Sequence, residues 1–225
     1  MEGFAIPLLL SLKLAVFTTA ILFLISIPLC FVMILKKFRG KSLIKSVFML
    51  PLVLPPSVLG YYLLLAFRPN GMVGNLWNAV FDERLAFSFQ GILIASLIFS
   101  CPFMINPLIT ALESLPQNMM EASYSLGKSK WKTFIKVLVP NITPTVISAS
   151  VLTFAHTIGE FGVILMIGGN IPGETKVASI AVYHELEAMN YEMAGQYALI
   201  LLGFSFLVIF IVQVIQKRNL HPRIC

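Results

Sequence analysis

An all-helical polytopic membrane protein is the fold this sequence predicts, on three observations. Of its 225 residues, 58% are hydrophobic and only 12% charged, with a mean hydropathy of +0.89. A soluble domain carries about 25% charge, so a water-soluble chain of this size would have nowhere to hide so much apolar surface. Five apolar runs, roughly 4–35, 46–67, 88–112, 141–168 and 194–216, each reach the length needed to cross the hydrocarbon as a helix. Helices are the default there, because backbone groups cannot go unpaired in lipid. Finally, basic residues cluster after every second run: Lys36, Lys37, Arg39, Lys41 and Lys45 after the first, Lys128, Lys130, Lys132 and Lys136 after the third, Lys217, Arg218 and Arg223 after the fifth.

That alternation sets the expected topology. The other connections hold only Arg68, Arg84 and Lys176 and, with the N-terminus, the acids Glu2, Asp82, Glu83, Glu174, Glu185, Glu187 and Glu192. Basic residues favour the cytoplasm. Five spans then place the N-terminus outside and the C-terminus in the cytoplasm. The bland account of the first and third clusters is that they set topology and do nothing else. The whole chain, 1–225, reads as a single transmembrane domain with a polar cytoplasmic loop at about 114–140.

Taken in order, the first run exceeds 25 residues and is expected to tilt or project from the bilayer. Its start, MEGFAIP, lacks the basic segment of a signal peptide. Pro7, Pro28, Pro51, Pro102 and Pro144 are expected to kink helices or mark first turns. Cys30, Cys101 and Cys225 are scattered and give neither a disulfide framework nor a metal-ligand spacing. The net charge of +6 lies in the topology clusters and is not a nucleic-acid signal.

The loop at 114–140 is too polar to span and too patterned to be a linker. Ser114-Leu-Pro-Gln117 fits a capping-box start, and Leu115, Met119, Ala122 and Leu126 share one helical face. Gly127 is expected to stop this helix in the left-handed conformation, Ser129 to cap a second one, and Pro140 to close it. Trp131, Phe134, Ile135 and Leu138 form the second helix's apolar face, with Lys128, Lys132 and Lys136 along another side. The residues alone leave two readings open: a hairpin lying on the inner leaflet's lipid, or a docking element for a cytoplasmic partner.

Within the spans, Glu160 is the one acid, and Gly159 and Gly162 beside it predict a helix break. The alternatives for Glu160 are a proton relay, for which no second acid provides a next station, and a structural or gating carboxylate. His156, one turn earlier, is placed to pair with Glu160, to touch a passing anion, or simply to pack. Thr145, Ser148, Ala149, Leu152, Ala155 and Gly159 form a small-residue face that reads as close helix packing or as a pore lining. Thr175 is expected to cap a helix whose face carries Val182, Tyr183, Leu186 and Met189, as a re-entrant gate, a partner platform or packing over the bundle.

Gly-Lys-Ser occurs at Gly40–Ser42 and at Gly127–Ser129, but a phosphate-binding loop needs a glycine five positions earlier, where Leu35 and Ala122 stand. No ATP site, nucleophile–base pair or ligand cluster is expected in this chain, so it is not read as an enzyme. A self-sufficient secondary transporter or channel, and a scaffold whose loop only binds lipid, are the readings of other classes.

Glu121-Ala122-Ser123, three residues, Gly127, nine residues, then Val137-Leu138-Val139-Pro140 resembles the signature of inner-membrane permeases of binding-protein-dependent ABC importers. The pattern E-A-A, Gly, I-x-L-P is met except at Ser123, Val137 and Val139, all small or aliphatic replacements. LPLVLPPSVLGYYLL (50–64) and GEFGVILMIGGNIPGET (159–175) resemble the molybdate permease subfamily; Gly159-Glu160-Phe161-Gly162 is shared with sulfate permeases, and Ile171–Thr175 points more to molybdate.

The resemblance implies a permease for molybdate, with tungstate as a further substrate and sulfate or thiosulfate as the alternative. It implies a homodimer in a bacterial or archaeal cell membrane, contacted by lipid and not by nucleic acid. Its partners would be a cytoplasmic ABC ATPase dimer, which carries ATP and magnesium, and an external or periplasmic molybdate-binding protein. Glu121, Ala122, Ser123, Gly127, Val137, Val139 and Pro140 would dock the ATPase. Pore or gate candidates are Thr145, Ser148, His156, Gly159, Glu160, Phe161, Gly162, Pro172, Gly173 and Glu174. With only Lys13 and His156 as cationic groups in the spans, no strong dianion site is expected in the chain itself.

Overall fold

Hydropathy gives the helices and side-chain size decides how they pack. The computed structural model describes residues 2–36 and 39–219, with side chains over 4–36 and 39–214. Lys37, Arg223 and Cys225 lie outside the described residues, as do the side chains of Glu2, Lys217 and Arg218. The elements are α1 (Glu2–Leu35), α2 (Lys41–Val53), α3 (Pro56–Phe67), α4 (Met72–Phe81), α5 (Phe89–Glu113), α6 (Gln117–Ser125), α7 (Lys130–Thr133), a π turn (Phe134–Leu138), α8 (Val139–Asn141), α9 (Thr143–Gly159), α10 (Gly162–Gly168), α11 (Ala178–Glu187) and α12 (Tyr191–Asn219). The described residues form no strand.

Three helices, Phe4–Leu35, Phe89–Glu113 and Tyr191–Val214, are long and apolar enough to cross a membrane unbroken. The other two predicted spans are not straight. Run 46–67 bends by 112° between α2 and α3, and residues 130–159 bend by 75° between α8 and α9. Run 141–168 breaks again at Glu160–Phe161, between the two glycines that predicted it. Five spans are reached only if each bent pair counts as one. Pro7, Pro28, Pro51 and Pro102 sit inside helices, whereas Pro144 marks a first turn.

α1, α5 and α9 pack on one another, α12 lies on α9 and α11, α2 rests on α5, and α10 is held between α3 and α5. Two apolar clusters fill the bundle. One, around Met33, Met104, Leu108, Phe134 and Leu138, sits at the end where α1 and α5 finish. The other, around Leu14, Ile92, Ile164, Ile167 and Ile180, sits toward the opposite end. The outer surface is apolar too: Leu199, Leu202 and Phe206 on α12 are 68–71% exposed. Surface of that kind is stable against lipid, not water.

At the end where α1 and α5 finish, the first lysine cluster has a partner the sequence did not suggest. Lys45 Nζ donates to both carboxylate oxygens of Glu113 at 2.8 and 2.7 Å, and Lys41 lies 3.0 Å from the same group. These lysines tie the start of α2 to the end of α5. α4 was not foreseen. Gly71 and Gly74 let it press on the backbone of 65–68, and Met72, Leu76 and Val80 stay on its open side.

Candidate coupling loop and membrane interior

The loop after α5 folds as a hairpin of two helical arms, hinged where glycine predicted. α6 ends in a Schellman motif: Gly127 has φ +73°, its N–H donates to the Tyr124 carbonyl at 2.9 Å, and the Lys128 N–H donates to the Ser123 carbonyl at 3.2 Å. A Cβ at Gly127 would meet nothing within 4 Å, so the glycine is needed for its backbone conformation and not for space. Ser129 caps the second arm, accepting from the Lys132 N–H at 3.4 Å.

Two details of the expected start are corrected. Ser114 forms no capping box; its hydroxyl turns back to donate to the Ala111 carbonyl at 2.8 Å and closes α5, while Pro116 precedes α6 with no side-chain bond. The buried side of α6 is also rotated. Met119 and Met120 are half-buried and Ser123 is buried, whereas Ala122 is exposed and Leu126 is 77% exposed. The reason is a hydroxyl pair: Ser123 and Thr133, both buried, meet at 2.9 Å and staple the arms together. Ser123 is one of the departures from the E-A-A pattern, and the bond is what its hydroxyl adds.

The second arm keeps its expected face. Phe134 and Leu138 are fully buried, and Phe31 at the end of α1 meets Trp131 and Phe134 edge-on at 4.8 and 5.5 Å. Pro140 does not close this arm; the helix continues through it and bends at Ile142. Val137 and Val139 are half-buried and Pro140 is exposed. The outward surface therefore carries Glu121, Ala122, Tyr124, Leu126 and four lysines, Lys128, Lys130, Lys132 and Lys136. Among the described residues no carboxylate pairs with these four.

The interior candidates do not form one site. Glu160 is buried at the α9–α10 break; its Oε2 accepts from the Ser96 hydroxyl at 3.0 Å, and its backbone carbonyl accepts from the Ser179 hydroxyl at 2.6 Å. Its Oε1 has no partner among the described residues. His156 does not pair with Glu160. Its Nδ1 lies 3.0 Å from the Ser100 hydroxyl, which also meets Thr157 at 3.0 Å, and its ring stacks on Phe103. Ser96 and Ser100, one turn apart on α5, thus face Glu160, Thr157 and His156 in a polar seam between packed helices. Serines in an apolar run carried no flag in the sequence, although their spacing of four matches that of His156 and Glu160.

The small-residue face of α9 is split. Ser148 and Ala149 are buried and Thr145 is half-buried, whereas Leu152 is 37% exposed and Gly159 looks onto open space. Phe161 and Gly162 are half-buried at the break, and Pro172, Gly173 and Glu174 lie exposed in the loop before α11. Thr175 caps no helix. Its Oγ1 accepts from the Ile171 N–H and donates to the Gly168 carbonyl, which pins that loop. The cap of α11 comes from α1, where the Ser11 hydroxyl accepts from the Ala178 N–H at 2.8 Å. Tyr183 and Leu186 on α11, and Met189 just past its end, are exposed, whereas Val182 is half-buried and the Tyr183 ring meets Phe161 at 5.1 Å.

The sequence profile of the binding-protein-dependent transport system inner membrane component family matches residues 26–224. The chain belongs to this family. As a permease of this kind it is a multi-pass membrane protein, and its relatives narrow the comparison. It is 42% identical to the molybdenum transport system permease protein ModB of Azotobacter vinelandii, over 89% of each chain. It is 33% identical to the sulfate transport system permease protein CysT of Escherichia coli, over 81% of this chain and 65% of that one. Among solved structures, a bacterial ABC transporter involved in the import of the acidic polysaccharide alginate superposes with a TM-score of 0.79, at 18% identity, over 97% of this permease and 80% of that chain. That likeness concerns the fold.

Proposed function

We propose that this permease forms the translocation pathway of an ATP-driven molybdate importer. The observation that carries the substrate is the identity gap, 42% to a molybdenum permease against 33% to a sulfate permease. In this reading two copies pair in the membrane with the N-terminus outside. An external binding protein delivers the oxyanion, and an ABC ATPase dimer, holding ATP and magnesium, sits under the lysine-rich end. Tungstate, chemically close to molybdate, is carried by the same route.

The docking element is the hairpin from Glu121 to Pro140. Its inward side chains, Phe134 and Leu138, are buried, with Phe134 against Phe31, and its outward side is left with Leu126, Tyr124 and lysines that pair with no carboxylate among the described residues. An exposed leucine among lysines suits a groove with acidic margins. The hairpin continues into α9, so displacement of the loop is delivered to the bundle at the Ile142 bend. Inside, Glu160 acts as a structural or gating carboxylate, since its bonds fix the α9–α10 break to α5 and α11.

Sulfate is the second reading, favoured by the CysT likeness. The test is ATPase stimulation of the reconstituted complex by molybdate, tungstate and sulfate, each presented on the binding protein. Stimulation by molybdate and tungstate is expected; stimulation by sulfate alone overturns the substrate assignment. Replacing Gly127 with valine tests docking: the chain should still insert but no longer co-purify with the ATPase, and unchanged assembly with unchanged uptake would sink it.

A further inference from the structure

The elbow between α2 and α3 breaks a rule of structure in lipid. α2 ends at Val53, the Leu54 N–H donates to the Leu50 carbonyl at 3.1 Å, and the chain then turns by 112° into Pro55-Pro56. A continuing helix would send N–H groups from 55 and 56 back to the carbonyls of Pro51 and Leu52, but proline has none. Neither Ser57 nor Val58 reaches back to Val53 or Leu54. Four consecutive carbonyls, 51 to 54, therefore lack a donor among the described residues.

This segment is open and deep. Val53 is 81% exposed and Leu52 51%, and Pro55, Pro56 and Ser57 are exposed. Its depth follows from its neighbours. Pro56 abuts Gly162, where an added Cβ would fall 2.8 Å from the proline Cβ. Gly162 is two residues past Glu160, which is bonded to Ser96. Ser96 sits seven residues into α5, about 10 Å from its start and about 25 Å from its end at 1.5 Å per residue. The elbow thus lies within the hydrocarbon depth, not at either surface.

Lipid tails offer no donors, and irregular backbone at that depth is tolerated only in protein or against water. A second copy would not help if elbow met elbow across a two-fold axis, since each presents the same surface. That surface is four carbonyls with Ser57 as its one free donor residue. Water supplies donors without limit.

We propose that the elbow Leu50–Ser57 lines the water-filled pathway of the permease. The inference rests on the transport reading and adds the segment that the permeating ion passes. Carbonyl oxygens and apolar side chains repel a bare dianion but accept hydrogen bonds from its hydration shell. The elbow is then a passing point for a hydrated oxyanion, not a binding site, and weak binding suits conduction.

The test is labelling by a negatively charged, water-borne methanethiosulfonate, in the assembled complex in lipid nanodiscs. The chain's own three cysteines are replaced by alanine. Val53→Cys and Ser57→Cys are compared with Phe206→Cys on α12, which is 71% exposed on an apolar face. The reagent needs a hydrated, ionisable thiol. Labelling at 53 and 57 at least tenfold faster than at 206 is expected. Both positions are exposed, and serine to cysteine changes one atom, so the fold is kept; a monodisperse complex on size exclusion verifies it. Rates equal to that at 206 would mean that lipid covers the elbow, and ready cross-linking of Val53→Cys between two copies would mean that the partner does; either overturns the proposal. The readout is independent of which oxyanion is carried, so failure of the molybdate assignment leaves it intact.

Discussion

Two breaks in the membrane-spanning helices lie against each other and are supported in opposite ways. At Glu160–Phe161 the chain is held by side chains: Ser96 bonds the carboxylate, Ser179 bonds the carbonyl, and Glu160 itself is buried. At Leu54–Pro55 no side chain among the described residues reaches the backbone, two prolines remove donors, and the segment is open. The contact between them is Pro56 on Gly162. The difference teaches that a helix break in lipid has to be hydrogen-bonded by something. One break is internal to the protomer's packing, where its bonds would serve stability; the other looks outward, where we propose it serves passage.

If that division holds, substitutions at the two breaks should separate stability from transport. The largest loss is expected for Glu160→Ala, which removes a buried side chain and strands the Ser96 hydroxyl, at about 3 kcal/mol. It would appear as a lowered unfolding midpoint in detergent, and a midpoint equal to wild type would end the structural reading of Glu160. Glu160→Gln retains an acceptor for Ser96 and should recover most of the loss. Next is Gly162→Ala, whose new methyl has no room beside the rigid Pro56 ring, at about 2 kcal/mol. Ser179→Ala, which removes one hydroxyl donor from the Glu160 carbonyl, should cost about 1 kcal/mol. Smallest is Pro55→Ala, within about 1 kcal/mol of wild type, yet with reduced uptake because a restored N–H lets the elbow straighten. A Pro55→Ala protein as unstable as Glu160→Ala would erase the comparison.

How much of this was legible depended on whether the signal was local. The apolar runs and the stop at Gly127 were readable, because bilayer thickness and a left-handed φ each leave a mark on a few adjacent residues. The break between Gly159 and Gly162 was readable for the same reason. The 112° elbow was not: hydropathy reports burial along the chain but not direction, and a Pro-Pro inside an apolar run reads equally as a kink or a first turn. Ser114 misled because the capping box is a pattern of residue types, and here the serine served the preceding helix. The face of α6 was misassigned because Ser123 is buried by a bond to Thr133, and an apolar-face count scores serine as outward. Of the interior site, Glu160 and His156 stood out as ionisable groups, but their partners Ser96 and Ser100 became visible only once α5 and α9 were packed.

The borrowed cap of α11 has a consequence for how the protein is made. Ser11 is translated early and Ala178 late, and 167 residues separate donor from acceptor. While the ribosome is still supplying α9 and α10, the first turn of α11 does not exist and Ser11 has only the Pro7 carbonyl to bond. Closing that bond is therefore a late step of assembly in the bilayer. It can occur only after the first inserted helix has stayed in place and the growing chain has come back to it. A Ser11→Ala chain should insert normally, span by span, and show its defect only at the end, as a frayed α11 open to proteolysis.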